Sequence, residues 1–285
     1  MDDEEEFAGI KIKPKKTERD NKKRKKKKKR LKKSSNESPG VIRKGLEKIK
    51  YILIIIALIV GAILVIYSPM FNIKSIEVEG NERLSDDKII EISGLKNDVN
   101  MFKYTKVQIV NSLTQNAYIE SVEVTRKLPG TIGIKVTERH PTFMLQFADS
   151  FVYINNQGYI LEISNEKIDT PIIVGFKTDL NNIKPGHRVD IEDLKQLNMV
   201  IKIIGICEDN DITGVVTKVD VSNPKNYTLI LEGQGKTVYL GDGNELTSRI
   251  LYLKAILESS EGKEGTIFLD VDLNTQKAYF RPTSN

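Results

Sequence analysis

Residue types that commonly perform catalysis are scarce in this chain. Its histidines are His140, which precedes Pro141, and His187, which lies in a Pro-Gly turn. Both positions are typical of exposed connections, so neither predicts a catalytic base. The one cysteine, Cys207, excludes an intramolecular disulfide and a cysteine-based zinc site, and its place after an apolar stretch favours a buried core residue.

Two other patterns resemble binding loops. Gly235-Lys236-Thr237 ends like a phosphate-binding loop, but the required first glycine is replaced by Ile230 in a strand-like stretch, which favours a hairpin. Five residues fit the spacing of a calcium loop, with Asp in place of the final Glu: Asp209, Asp211, Thr213, Gly214 and Asp220. An acidic turn is the favoured interpretation, because residues 212–221 alternate like a strand. We expect no catalytic residue, cofactor or metal, although a carboxylate pair formed by folding stays open.

Charge is distributed unevenly along the 285 residues. Residues 1–50 contain 20 Lys and Arg against 9 Asp and Glu, whereas residues 51–285 contain 24 against 30. The block from Lys22 to Arg30 is entirely basic, so it repels itself and offers little apolar surface to bury. We therefore expect residues 1–50 to form a disordered cytoplasmic arm that is attracted to anionic lipid. Nucleic-acid binding or nuclear localisation by this arm is the alternative.

An apolar run follows the basic arm. Residues 51–71 carry no charge, and at about 1.5 Å per residue they reach roughly 31 Å, the thickness of a bilayer's hydrocarbon core. Tyr51 and Tyr67 bracket the most apolar part, where aromatic belts lie in membrane proteins. A buried core helix and a cleaved signal peptide are the alternatives. The length of the run and the fifty residues before it favour an uncleaved transmembrane helix.

The orientation of this helix follows from its flanking charges. Arg43, Lys44, Lys48 and Lys50 lie before it, and the first basic residue after it is Lys74. The positive-inside rule therefore predicts a cytoplasmic N-terminus and an extracytoplasmic location for residues 72–285. The protein is expected in the cell membrane with a single span.

Residues 72–140 predict a small domain with the order strand, helix, helix, strand, strand. Alternating apolar and polar residues predict strands at 73–79, 119–126 and 131–138. Ser85 is suited to cap the first helix, and Thr105 with Gln108 predicts a capping box at the second.

Residues 141–285 predict a second domain, an α/β unit dominated by antiparallel strands. Helices are expected after the N-caps Asp190 and Asn244. Strands are expected at 151–154, 159–161, 171–174, 215–221, 227–232, 236–240, 266–273 and 277–281. The fold class is therefore α+β.

Several short motifs of the first domain resemble a POTRA domain. They are Ile76-Glu-Val-Glu-Gly-Asn81, Tyr118-Ile119, Lys127-Leu-Pro-Gly130 and Val136-Thr-Glu-Arg-His-Pro141. Directly after a single span, such a domain is similar to the bacterial cell-division family FtsQ/DivIB. The resemblance continues in the second domain, an FtsQ-type β domain, through Tyr153-Ile-Asn-Asn-Gln-Gly-Tyr-Ile160, Val238-Tyr-Leu-Gly241, Arg249-Ile-Leu-Tyr-Leu-Lys-Ala-Ile256 and Phe268-Leu-Asp-Val-Asp272.

This resemblance implies a non-catalytic bitopic scaffold of the divisome, enriched at the division septum. Members of the family bind two small bitopic coiled-coil proteins, FtsL and FtsB/DivIC, and so help recruit and regulate the septal peptidoglycan synthase. An extracytoplasmic sensor or enzyme acting on the cell wall is the alternative function.

Strand addition is the expected mode of partner binding. The last strand is the candidate edge, because no later strand covers it and an unpaired edge is otherwise a liability. The candidate residues are Lys277, Ala278, Tyr279, Phe280 and Arg281. Ordinary packing within the sheet is the alternative for each of them. We expect the helix over 246–257 to lie beside this edge.

Overall fold

The structure is a computed structural model that describes residues 39–147 and 149–283. The chain divides into two compact units, Met1–Ile66 and Tyr67–Asn285. Residues 1–38, most of the expected basic arm, lie outside the described residues. The arm's disorder and its attraction to anionic lipid therefore stay predictions.

The first unit contains one described helix, α1 (Pro39–Ile66). Its segment Lys48–Ile66 is long and apolar enough to cross a membrane, with a mean hydropathy of 3.0 and no buried part. Residues 39–50, expected to be disordered, are helical, because extension of an existing helix avoids the unfavourable nucleation step and adds one backbone hydrogen bond per residue. The helix ends at Ile66 rather than at 71, since Pro69 disfavours helical backbone in the residue before it.

The second unit begins with a three-stranded sheet and two helices. β1 (Ser75–Glu79) pairs in parallel with β3 (Thr131–Glu138), which pairs antiparallel with β2 (Ile119–Lys127). The helices α2 (Asp86–Ser93) and α3 (Lys106–Thr114) precede β2 in the chain. The expected order of strand, helix, helix, strand, strand is confirmed.

Local sequence determines where these two helices begin and end. Ser85 Oγ accepts a hydrogen bond from the Lys88 amide at 3.3 Å, and Gly94 ends α2 with a φ of 71°. Thr105 and Gln108 form the expected capping box of α3. These side chains satisfy helix N-terminal amides that have no partner within the helix.

A nine-stranded sheet forms the rest of the second unit. Its strands are β4 (Phe143–Phe147), β5 (Ser150–Ile154), β6 (Ile160–Ser164), β7 (Ile172–Val174), β8 (Lys218–Asp220), β9 (Tyr227–Leu231), β10 (Lys236–Gly241), β11 (Gly265–Phe268) and β12 (Tyr279–Pro282). Their spatial order is β12-β11-β10-β9-β8-β7-β4-β5-β6. Most neighbouring strands are antiparallel, and the parallel pairs are β10 with β11, β7 with β8 and β4 with β7. The expected mainly antiparallel α+β fold is confirmed.

Two helices pack with this sheet in one large core. α4 (Ile191–Asp209) contributes Leu197 and Ile203, and α5 (Leu246–Ser259) contributes Ile250 and Leu253. The strand residues of this core alternate along their strands with residues that face the other side of the sheet, as a half-buried strand requires.

The caps of α4 and α5 differ from expectation. Asp190 precedes α4, but its carboxylate accepts hydrogen bonds from the Asp179 amide and Asn182 Nδ2, both at 3.2 Å, and does not cap the helix. α5 begins after Glu245, not Asn244, whose side chain instead donates to the Asp242 carboxylate at 2.8 Å. In both places a nearby loop competes successfully for the polar side chain.

A smaller apolar cluster joins the two sheets within the second unit. It combines Tyr118, which directly precedes β2 of the three-stranded sheet, with Met144, Tyr153, Leu161 and Ile172 of the larger sheet. These strand residues lie on the face opposite the helices. The two sheets are therefore packed against each other through buried side chains.

Hydrogen bonds around Glu162 strengthen this junction. Its Oε2 accepts from the Tyr118 hydroxyl at 2.6 Å and from Arg83 Nη2 at 2.8 Å. The Arg83 guanidinium also lies 4.4 Å from the centre of the Tyr118 ring. Burial, followed by the hydrogen bond to Glu162, raises the pKa of Tyr118, so the hydroxyl remains a donor.

The adjacent Glu138 and Arg139 stabilise the end of the three-stranded sheet at this junction. Glu138 is buried and accepts hydrogen bonds from the amides of Arg83 and Leu84 at 2.8 and 3.0 Å. Arg139 Nη1 donates to the carbonyls of Ala117 and Ile119, at 2.9 and 2.7 Å. The two charged residues thus satisfy backbone groups where the first sheet ends and the second begins.

Cys207 is expected to be unreactive in the folded chain. The residue is fully buried in α4, and burial raises the pKa of its thiol to about 12. The thiolate is the reactive form, so a maleimide should leave the folded chain unmodified and label it after denaturation, as measured by mass spectrometry. An exposed Ser259→Cys variant is the positive control; prompt labelling of folded Cys207 would contradict this packing.

Candidate binding edge of the nine-stranded sheet

β12 lies at one end of the nine-stranded sheet, where the sequence placed the candidate edge. It pairs antiparallel with β11, with Tyr279 opposite Phe268 and Arg281 opposite Thr266. Tyr279, Phe280 and Arg281 belong to the strand, whereas Lys277 and Ala278 directly precede it. No other described strand pairs with its outer side.

The backbone of β12 presents alternate groups to solvent. Gly265 and Leu269 of the β11 segment donate to carbonyls of Gly235 and Tyr239 on the β10 side, at 3.1 and 2.8 Å. The alternate residues Thr266 and Phe268 therefore direct their backbone groups towards β12. Because hydrogen-bonded pairs alternate in an antiparallel ladder, Tyr279 and Arg281 use their backbone groups on β11, and those of Ala278 and Phe280 point outward.

A row of aromatic side chains crosses the sheet on the face opposite the core with α4 and α5, and this row ends at the β12 edge. Tyr239, Phe268 and Tyr279 are in register on β10, β11 and β12. Their ring centres are separated by 5.5 Å between Tyr239 and Phe268 and by 4.8 Å between Phe268 and Tyr279, the latter pair stacked. The Arg281 guanidinium lies 4.9 Å from the Phe268 ring centre. Tyr279 and Arg281 are exposed, so the row ends in an accessible surface.

The other face of β12 is anchored in the core. Ala278 and Phe280 are half-buried and pack against the apolar core that includes α5. Lys236, which is buried, places its Nζ 6.0 Å from the Phe280 ring centre. β12 therefore has an anchored face and a displayed face.

α5 and β12 contribute side chains to the same core. The opposite side of α5 exposes two large apolar residues, Leu251 at 51% and Tyr252 at 44%. These residues are available for side-chain contacts with a bound protein.

A polar cavity of about 640 Å³ lies beside the turn that leads from β11 to β12. Arg249 lines it, is buried, and donates from Nε to the Asn244 carbonyl at 3.0 Å. Asn226 Nδ2 donates a hydrogen bond to the Asp270 carboxylate at 2.9 Å, and Asn226 Oδ1 accepts one from the Gly241 amide, also at 2.9 Å. A backbone hydrogen bond from Asn274 is the main cause that lowers the pKa of Asp272. These contacts fix the turn that positions β12.

The other sequence patterns have structural roles. His140 and His187 are exposed. Gly235 follows a single 3-10 turn and leads into β10, so the hairpin interpretation is confirmed. Asp209 ends α4, and Asp220 Oδ1 accepts from the Ser222 amide at 2.8 Å. Within residues 39–147 and 149–283, no three or more His, Cys, Asp or Glu side chains are grouped as metal ligands.

Sequence reasoning did not identify Tyr239 and Phe268 as part of this surface. Both lie in alternating strand patterns, which correctly give their strands. Their alignment with Tyr279 depends on the register of three strands, one of them parallel, and no local pattern encodes that register.

Hydrogen exchange should show the alternation along β12. We expect the amides of Tyr279 and Arg281 to exchange at least about tenfold more slowly than those of Ala278 and Phe280, because only the former are bonded to β11. Residue-resolved exchange of the full chain measures this. Equal protection of all four amides would mean that the outer side of β12 is covered.

Truncating a side chain on each face of β12 should lower the stability of the fold by different amounts. Phe280→Ala removes partly buried core contacts and is expected to lower the free energy of unfolding by about 1–3 kcal/mol. Tyr279→Ala removes mainly ring stacking, about 0.5–1.5 kcal/mol. Urea unfolding in detergent, followed by tyrosine fluorescence, compares them. A larger loss for Tyr279→Ala would reverse the assignment of faces.

Comparison with known proteins agrees with this architecture. A family model described as POTRA domain, FtsQ-type, matches residues 71–139. The cell division protein DivIB of Clostridium acetobutylicum is 29% identical over 212 residues, which cover 74% of this chain and 83% of that protein. The cell division protein FtsQ of Corynebacterium glutamicum is 23% identical over 223 residues, which cover 75% and 94%. The chain is therefore a relative of the bacterial cell-division proteins DivIB and FtsQ, and the resemblance to the FtsQ/DivIB family is confirmed.

Proposed function

We propose that the chain is a non-catalytic bitopic scaffold of the divisome that binds FtsL and FtsB/DivIC-like partners by strand addition at β12. The observation that carries this proposal is the outer side of β12, where the backbone groups of Ala278 and Phe280 have no strand beside them among the described residues. Its relatives are named cell division proteins, which supports a role in division.

The location follows from α1 and its flanking charges. In this proposal Lys48–Ile66 crosses the cell membrane once, and the basic residues before it keep the N-terminus in the cytoplasm. The unit Tyr67–Asn285 is then extracytoplasmic and, through its partners, concentrated at the septum. There it helps recruit and regulate septal peptidoglycan synthesis.

The edge also indicates what a partner must supply. β12 is only four residues long, and each added backbone hydrogen bond contributes about 0.5–1.5 kcal/mol net. Backbone pairing alone therefore gives weak binding, and side chains must add the rest. A strand beside β12 places alternate side chains next to the row that ends at Tyr279, where apolar or aromatic groups fit. An acidic side chain would suit Lys277 or Arg281.

The exposed side of α5 offers a second apolar surface. A partner helix that precedes or follows the added strand could cover Leu251 and Tyr252, whose exposure leaves apolar area to bury. Binding through both elements would be stronger and more specific than strand pairing alone.

Replacing one outward donor tests the edge. Ala278→Pro removes an N–H that points away from β11, so β11–β12 pairing is retained, and capture of the partner pair is expected to weaken about tenfold. Ala278→Gly keeps the N–H and is the matched control. Co-purification of the full chain with the FtsL-like and FtsB/DivIC-like pair measures both, alongside a chain that lacks residues 277–285.

The same complexes allow an independent measurement. On partner binding, the Phe280 amide should become protected from hydrogen exchange, whereas the amides of β6, the opposite end of the sheet, should not change. Undiminished capture by the truncated chain, together with an unprotected Phe280 amide, would reject strand addition at β12.

A further inference from the structure

We propose that one end of the three-stranded sheet is a membrane-docking surface, in which Leu128 and Met70 insert among lipid headgroups and nearby lysines lie against anionic phosphates. This inference goes beyond partner binding. It requires that α1 crosses a bilayer, but it does not depend on which side the second unit occupies.

Strand direction brings two segments to this end of the sheet. β1 and β3 are parallel, with Ser75 opposite Thr131, and β2 is antiparallel to β3, with Lys127 also opposite Thr131. The first residues of the second unit and the hairpin tip at 128–130 therefore share one end. The opposite end, where Glu138 closes β3, continues into the nine-stranded sheet.

Hydrogen bonds hold these segments together as one surface. The Gly130 carbonyl accepts from the amides of Lys74 and Ser75, at 2.7 and 3.3 Å. A side chain at Gly130 would place its Cβ 2.7 Å from the Asn72 carbonyl oxygen, so only glycine permits this approach. The Ile73 amide donates to the Val99 carbonyl at 2.9 Å, which adds the loop before α3 to the same end.

The covalent chain keeps this end near the membrane. Lys48–Ile66 contains 19 residues, which at about 1.5 Å per residue nearly fill the hydrocarbon core. Ile66 therefore lies close to the headgroups, and only residues 67–70 precede Phe71, which packs into the core of the three-stranded sheet's domain. Even fully extended, the chain from Ile66 to Phe71 reaches no more than about 18 Å, and residues 69–71 are wound in a 3-10 turn.

The side chains displayed at this end match a lipid surface. Leu128 is 64% exposed and Met70 is 57% exposed, although both are apolar. The exposed lysines are Lys74, Lys103 and Lys127.

Acidic groups offset part of this charge. Glu77 pairs with Lys127 at 2.5 Å, and Glu79 and Asp98 are also exposed in these segments, so Lys74 and Lys103 supply most of the charge that remains for anionic phosphates. Apolar tips surrounded by lysines are typical of interfacial membrane contacts, because the apolar groups enter the lipid and the ammonium groups remain at the phosphates.

Depth-dependent fluorescence quenching tests this surface. The full chain, with Cys207→Ala and Leu128→Cys, is labelled with an environment-sensitive fluorophore and reconstituted in vesicles of phosphatidylglycerol and phosphatidylcholine. We expect a shift of the emission to shorter wavelength, and several-fold more quenching by a spin label near the lipid headgroup than at Leu180→Cys. Leu180 is a matched control, since it is 70% exposed and belongs to the part of the chain that forms the nine-stranded sheet.

A second probe separates the apolar and basic contributions. With the fluorophore at Met70→Cys, Leu128→Asp is expected to reduce lipid quenching several-fold, whereas Leu128→Ile retains it. Lys74→Glu with Lys103→Glu should reduce quenching in anionic vesicles and have little effect in pure phosphatidylcholine.

Two results would overturn the proposal. In the first, positions 128 and 180 are equally accessible to aqueous iodide and neither is quenched from the lipid. In the second, position 128 becomes protected only when the purified partner pair is added, which would make this end a protein-binding surface instead.

Discussion

Every backbone N–H and C=O group needs a hydrogen-bond partner, and this requirement connects the main features of the chain. In α1 the helix satisfies these groups internally, which is the condition for a single segment to cross lipid. In the nine-stranded sheet each inner strand is satisfied from both sides. β12 is satisfied from one side by a strand, so the same rule that makes the helix suitable for a bilayer leaves the sheet with an unpaired edge.

The second unit also depends on polar contacts at the junction between its two sheets. Glu162 of the nine-stranded sheet accepts hydrogen bonds from Arg83 and Tyr118 on the other side of the junction, and Glu138 accepts from the Arg83 amide on its own side. Tyr118 contributes an apolar ring and a hydroxyl to the same place. Because these groups are partnered, separating the sheets would leave polar atoms without partners as well as expose apolar surface. The junction therefore favours one arrangement of the two sheets.

Local sequence predicted those features that depend on neighbouring residues. Ser85 and the pair Thr105 and Gln108 start their helices as expected, because a cap needs only three or four residues to form. β4 was missed, since its first three residues are buried and lack the alternation by which a half-buried strand is recognised. Asn244 was chosen as a cap because its type is favourable, but the Asp242 carboxylate competes for its side chain. The last strand was predicted as an edge because no later strand in the sequence was expected to pair with it.

Contacts between distant residues could not be predicted in this way. Tyr118 and Glu162 are 44 positions apart and meet only after both sheets have formed. The aromatic row through Phe268 likewise needs the correct register of β10, β11 and β12. A one-residue shift of β12 would turn Tyr279 inward and Phe280 outward, so the same sequence would display a different surface.

Pro282, the last residue of β12, has a consequence for crowded conditions. Proline has no amide hydrogen, so a ladder built on the outer side of β12 loses a donor where that residue stands. The edge is therefore a poor template for long, fibril-like stacking of identical copies. A high local concentration of the chain therefore does not favour polymerisation through this edge.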